Sequence, residues 1–342
     1  MDFIQPKNEY DLITMGEVML RLSPPGTDKI SQSYSFDKKA GGAELNVASG
    51  SAILGIRSAL ITKIPESKIG HFVRNMIRYG NVSDDYIVYD HSKQARLGIY
   101  YYETGAYPRK SSVIYDRANA SVTTLTLDEI DPSVYGKTRV FHVSGITLAL
   151  GEGIRKTTLE VIKKFKEAGA AISFDINYRA SLWDEDTARS VVESIFPYVD
   201  ILFVSEETSR RMLRKTGELE DIMKSYCADY GCKVVATTRR EAISPKIHNF
   251  SSKIYYDGNF YEEKPYKNIE VVDRVGSGDA YLAGTLFGML KYGDIQRALE
   301  YGNAMSAVKN TVLGDMSCSS LSEIDSVIKA HKAEGVQDEM NR

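Results

Sequence analysis

From Arg139 to Thr238 the chain repeats one pattern, a short apolar run followed by an amphipathic helical stretch. "RVFHVSGI" precedes "GIRKTTLEVIKKFKEAG", and "AAISFDIN" precedes "DEDTARSVVESIF". "VDILFVS" precedes the helical stretches "EETSRRMLRKTG" and "ELEDIMKSYCADYG", and "CKVVATT" closes the series. Strands separated by helices at this spacing form a parallel sheet whose crossover helices cover both faces. The fold class is therefore α/β, a doubly wound, mostly parallel sheet with helices on both sides. The alternation starts earlier, with strands in "DLITMGEVMLRLSP" and "RSALITKI" and helices ending at Gly55 and Gly80.

Two segments break the pattern. Residues 16–36 and 86–118 read as extended, and the second is rich in Tyr, Ile and Val interrupted by Gly and Pro. They are expected to pair into a small β-sheet above the main one. Ligands of open α/β sheets bind beyond the carboxyl ends of the strands, so a sheet placed there acts as a lid. With no internal repeat, residues 1–342 read as a single domain with the lid inserted in its core. "KIYYDGNFYEEK" predicts a hairpin around Asp257-Gly258. Helices follow from about Asp279, from about Ile295 and within 320–332, and the polar tail "KAEGVQDEMNR" is expected to fray.

The net charge of −3 lacks the basic field of a nucleic-acid binder. No apolar run approaches the roughly 18 residues of a membrane span, and the acidic N-terminal stretch does not read as a signal peptide. Cys227, Cys232 and Cys318 have no paired short spacing, so neither a disulfide framework nor a metal-ligating cluster is expected. These features predict a cytoplasmic protein with free thiols.

The chemistry concentrates in "DRVGSGDAYLAGTLFGML", Asp273 to Leu290. Gly276 and Gly278 permit a tight turn, and the unpaired amides at the start of the helix behind it attract negative charge. Asp279 sits at the same place with a negative charge of its own. One reading makes it an N-cap. The other makes Gly276, Ser277 and Gly278 a cradle for a transferring phosphoryl group and Asp279 the base that takes a hydroxyl proton. A Walker A loop is absent, because Gly136-Lys137-Thr138 lacks the upstream glycine, and the third small position of a dinucleotide fingerprint is Tyr281.

This stretch resembles the C-terminal signature D-T-x-G-A-G-D-x-F-x-A-G of the ribokinase-like (PfkB) sugar kinases, with Arg274, Ser277 and Tyr281 as departures. "GGAELNVA", Gly41 to Ala48, is similar to that family's N-terminal sugar-binding signature. The resemblance spans nearly the whole chain. It implies ATP and Mg²⁺ as cosubstrate and cofactor, Asp279 as catalytic base, and the turn Gly276–Gly278 as the cradle of the γ-phosphate. It places Ser205, Thr237 and Thr238 at strand ends, and Asn303 and Ala307 on a later helix, as candidate nucleotide contacts.

A sugar acid requires a bidentate cation for its carboxylate. Arg179 in "FDINYRASLWD" follows a strand, and Tyr115 and Arg117, two residues apart, share a face of a lid strand. Together with Tyr100 these segments resemble the 2-keto-3-deoxygluconate kinase subgroup. By that resemblance Gly42, Asn46, Tyr100, Tyr115, Arg117, Arg179, Asp279 and Asp315 line the sugar site. The expected reaction is ATP-dependent phosphorylation of the 6-hydroxyl of 2-keto-3-deoxygluconate. The alternatives are a kinase for fructose, ribose or another sugar acid, and a non-catalytic sensor on the same fold. A homo-oligomer built through the lid is expected from its strand edges and tyrosines. Arg239 and Arg240, in a segment longer than the glycine-rich turn usual in this family, have no role in this reading.

Overall fold

The computed structural model describes residues 1–333; beyond Ala333 the polar tail lies outside the described residues. The first half runs β1 (Tyr10–Met15), β2 (Met19–Ser23), β3 (Asp37–Gly41), α1 (Ala43–Ile53), β4 (Ser58–Pro65), α2 (Lys68–Tyr79), β5 (Val82–Ser83), β6 (Ile87–Asp90), β7 (Gly98–Glu103) and β8 (Ser112–Asp116). The second half runs β9 (Thr138–Ser144), α3 (Gly145–Ala149), α4 (Glu152–Glu167), β10 (Ala171–Asp175), α5 (Glu185–Ile195), β11 (Ile201–Phe203), α6 (Glu206–Arg211), α7 (Leu219–Tyr230), β12 (Val234–Ser244), β13 (Ile247–Tyr256), β14 (Asn259–Glu262), β15 (Tyr266–Glu270), α8 (Ser277–Tyr292), α9 (Ile295–Lys309) and α10 (Leu321–Lys332).

The main sheet follows the order β14-β13-β12-β11-β10-β9-β1-β4-β5, with β15 beside β13 and β6 beside β4. Pairings from β12 to β5 are parallel, and β13, β14 and β15 extend the sheet antiparallel. Successive residues of β9 serve opposite faces. Phe141 joins a core with Phe165, Phe174 and Phe196, while Val140 joins the other with Leu12, Tyr281 and Phe287. A strand buried on both faces carries apolar side chains on each, as Val140, Phe141 and Val143 do, and the buried His142 between them is partnered by Ser173. Helix α8 is buried at every position from Ala280 to Leu290. Its Gly284 and Gly288 let it lie directly on the backbone of α9 at Tyr301 and Ala298, where a Cβ would collide.

The small sheet has the order β3-β2-β7-β8. It differs from the expected segments at two edges. It takes in Asp37–Gly41, beyond residue 36, because that run pairs antiparallel with β2. It leaves out Ile87–Asp90, which pairs parallel with β4 in the core. Arg21 of β2 anchors the lid. Its guanidinium is buried, lies 2.6 Å from both Asp273 and Asp315, and sits 4.3 Å from the centre of the Tyr102 ring. Buried charges persist only when paired this closely, so the lid and the loop before α8 are held as one unit.

The hairpin at Asp257-Gly258 is present, with both residues at positive φ between β13 and β14. Thr237 and Thr238 do not end a strand. β12 leaves the parallel sheet after Ala236 and continues to Ser244, paired with β13 as an arm whose residues from Arg239 to Ile243 are exposed.

Candidate active site

Helix α8 begins at Ser277, and its N-cap is Gly276, with φ 82° and no capping side chain. A Cβ at Gly276 would collide with the carbonyl of Asp315, so this turn requires glycine. Asp279 therefore lies in the first helical turn and is not the cap. Its Oδ2 accepts a hydrogen bond from the Asn46 amide of α1 at 2.7 Å. The carboxylate faces a cleft of about 500 Å³ that also holds Gly276, Ser277 and Gly278. Burial pushes its pKa up to about 6, against the Asn46 hydrogen bond and the Arg179 charge that hold it down.

A second carboxylate, Asp175 at the end of β10, lines the same cleft. Burial, then the charge of Asp279, raises it to about 7. Behind both, Glu44 is buried and accepts from the Ser144 amide and hydroxyl and from the Thr147 hydroxyl. Sequence reasoning missed Asp175, although an acid at the carboxyl end of a parallel strand is the signal that marks it.

At the lid end, Gly42 caps α1 with φ 149°, where a Cβ would strike the carbonyl of Glu17. Tyr100 of β7 donates its hydroxyl to Asp315, whose other oxygen accepts from Arg21 at 2.6 Å. Tyr115 is half exposed and lies 5.8 Å from Tyr100, ring centre to ring centre. Arg117 follows β8 directly and pairs with the buried carboxylate of Glu17, which the sequence reading did not single out. One Glu17 oxygen and the Arg117 Nε remain without partners. Arg179 is exposed, and the one hydrogen bond its guanidinium makes among the described residues goes to the Tyr178 carbonyl. Gly42, Tyr100, Tyr115, Arg117, Arg179 and Asp315 thus meet Asn46 and Asp279 in one cleft.

A second cavity of about 330 Å³ adjoins the first and shares Asp175, Asn177, Arg179 and Gly278 with it. Ser205, which caps α6, and Thr238 line this cavity. Three other candidates are elsewhere. Thr237 points to the opposite face of β12, as strand alternation requires, and is buried with its hydroxyl unpartnered. Asn303 is fully buried, accepting from Ser252 at 2.6 Å and donating to Glu263 at 2.6 Å, and Ala307 is buried on the same helix. Among the described residues no group of three or more His, Cys, Asp or Glu is placed to hold a metal ion, and no helix is long and apolar enough to cross a membrane.

The profile of the pfkB family carbohydrate kinases matches residues 10–321. This chain belongs to the pfkB family of carbohydrate kinases. It is a sugar kinase, a phosphotransferase. A 2-dehydro-3-deoxygalactonokinase of Haloferax volcanii is 36% identical over 323 residues, 94% of this chain and 98% of the relative. The structure of 2-dehydro-3-deoxygluconokinase from Thermotoga maritima superposes with a TM-score of 0.89 at 34% identity, covering 94% of this chain and 98% of that one. A fructokinase from Xylella fastidiosa solved with bound ATP shares the fold, with a TM-score of 0.78 at 19% identity over 94% of this chain and 99% of its own.

Proposed function

We propose that this kinase phosphorylates the 6-hydroxyl of a 2-keto-3-deoxy sugar acid, with 2-keto-3-deoxygluconate as the substrate and ATP as the donor. The observation that carries the reading is the meeting of Asp279, Arg117 and Arg179 in one cleft next to a second, connected cavity. Asp279 takes the proton of the 6-hydroxyl as its oxygen bonds to the γ-phosphorus. The bond from that phosphorus to the β–γ bridging oxygen breaks, and ADP leaves with the electron pair. Amides of Gly276–Gly278 face the phosphoryl oxygens at the positive end of α8. Arg179 and Arg117 hold the substrate carboxylate and keto oxygen, and Glu17 keeps Arg117 oriented by the ion pair. Asn46 fixes the Asp279 carboxylate toward the hydroxyl. A Mg²⁺ ion bound with the nucleotide supplies neutralising charge on the phosphates. With three or more protein ligands absent among the described residues, Asp175, Glu185 and Glu207 are the acids lining the cavity that would support it.

A second copy of the chain is a further proposed partner. Edge strand β8 is exposed along its length, including Val113 and Ile114, and an open apolar edge favours pairing. The deciding experiment is ADP release by the purified chain with Mg²⁺-ATP and, in turn, 2-keto-3-deoxygluconate, 2-keto-3-deoxygalactonate, 5-keto-2-deoxygluconate, fructose and ribose. Preference for a 2-keto-3-deoxy acid supports the reading. Turnover with the neutral sugars alone removes Arg117 and Arg179 from substrate recognition.

A further inference from the structure

Strand β12 carries one face from the nucleotide cavity into the sugar cleft. Ala236 and Thr238 line the first, and Arg240, two residues further along the same face, lines the second. Arg274, three residues before the helix, enters the same cleft beside Gly276. Neither guanidinium has a hydrogen-bond or ion-pair partner among the described residues. Other arginines of the molecule, such as Arg21, Arg74, Arg139 and Arg211, are tied to carboxylates.

The two guanidiniums also lie close enough to act on each other and on a third basic group. Arg240 is exposed, and partial desolvation where it enters the cleft, then Arg274, lowers its pKa. Burial, then Arg240 and Arg274, holds the His248 ring below its usual value. His248 stands opposite Ala242 on the paired strand β13, is 5% exposed, and has an unpartnered Nδ1. Like charges gathered without a counter-ion are costly. An anion entering between them removes that cost.

We propose that Arg240 and Arg274 clamp the oxygens of a nucleoside triphosphate's terminal phosphates where the nucleotide cavity opens onto Asp279. This rests on the reading of the two cavities as nucleotide and sugar sites. A phosphate tail that starts in the cavity lined by Ser205 and Thr238 and ends at Asp279 enters the cleft that Arg240 and Arg274 line. A guanidinium offers a phosphate paired N–H donors in a fixed fork. The exposed β12–β13 arm therefore has a task, to carry Arg240 over this passage. The carboxylate of the sugar acid already has Arg117 and Arg179.

The test is calorimetric binding to the full chain of the β,γ-imido analogue of ATP with Mg²⁺, compared with AMP and with the sugar acid. In R240A/R274T the analogue should bind about tenfold or more weakly, as expected for loss of charge-assisted bonds, with AMP and sugar-acid affinity within about twofold. R240K/R274K should keep most of the binding, and unchanged thermal unfolding of each variant shows an intact fold. An unchanged analogue affinity overturns the proposal, as does an equal loss for AMP. Loss of sugar-acid affinity instead assigns the arginines to the carboxylate and overturns it too. Nucleotide binding is read without turnover. A wild-type chain that accepts none of the sugar acids, yet shows the triphosphate-specific loss on substitution, sinks the substrate reading and supports the clamp.

Discussion

The Asn46 amide donates to Asp279 across 2.7 Å, joining the first turn of α1 to the first turn of α8 from opposite ends of the chain. Each residue lies in one of the two glycine-bearing motifs, and the bond gives both motifs one purpose. Replacing Asp279 with Asn keeps the shape and an acceptor for Asn46 but removes the base. Turnover should fall by about 10³-fold or more, while calorimetric sugar binding changes little. Binding lost as completely as turnover would make Asp279 a substrate anchor and not the base.

The elevated pKa of Asp279, about 6, has a kinetic signature. A base acts only when deprotonated, so kcat/KM should rise with pH through about 6 and level above it. Asp175, raised to about 7 next to it, makes the limb a property of the pair. Asn46→Ala removes the hydrogen bond that holds the Asp279 value down, so the limb should move to higher pH. A pH–rate profile of the two proteins checks the direction; a limb that stays in place would leave Asn46 a role in sugar binding alone.

Arg179 is exposed and has no carboxylate partner among the described residues, whereas Arg117 is committed to Glu17. The two should respond differently to substitution. Arg179→Ala should raise KM for the sugar acid about tenfold or more, with kcat less affected. Glu17→Gln should leave the Arg117 guanidinium in place but loosely oriented, with a smaller rise in KM. Steady-state kinetics with the sugar acid varied checks both, and equal KM values for Arg179→Ala and wild type would exclude Arg179 from the site.

The sheet was legible because strands buried on both faces are rich in apolar residues and the helices between them carry a 3.6-residue stripe. The lid was legible as a departure from that rhythm but not at its edges. Whether Asp37–Gly41 or Ile87–Asp90 joins the small sheet depends on which neighbour each run meets, which no local pattern records. Asp279, Asn46 and Arg179, which share one cleft, are marked in the sequence by glycine turns and strand ends. Glu17 and Asp175 were not, since each gains its meaning from a partner about 100 residues away, Arg117 and Asp279 respectively. Thr237 and Asn303 were assigned by analogy, and side-chain direction on β12 and α9 turns them into the buried layer.

The buried Asp279 carboxylate also has a cost in stability. The folded value of about 6 lies above the ordinary 3.8, so the folded protein binds this proton more tightly than the unfolded chain. Stability from this group is greatest below pH 3.8, falls as pH rises to about 6, and remains reduced above it. The loss is on the order of 3 kcal/mol at pH 8. Asp279→Asn should therefore melt several degrees higher than wild type at pH 8, with the gap closing toward pH 4. A gap that does not depend on pH would mean the carboxylate is not strained by its surroundings.

Arg21 stands between two buried carboxylates, Asp273 and Asp315, 2.6 Å from each. Arg21→Met keeps the volume and removes the charge, leaving both buried acids without their guanidinium partner. The expected cost is about 3–5 kcal/mol. Burial already pushes the Asp315 pKa up with Arg21 present, and without it protonation becomes the way to relieve the site. The destabilisation should thus be largest near pH 8 and smaller near pH 5. Because the same arginine ties the lid to the loop before α8, KM for the sugar should also rise at temperatures where the variant is still folded. Melting curves at the two pH values, read beside KM, separate these effects. A loss of stability that is equal at both pH values would show that Asp273 and Asp315 find other partners when Arg21 is gone.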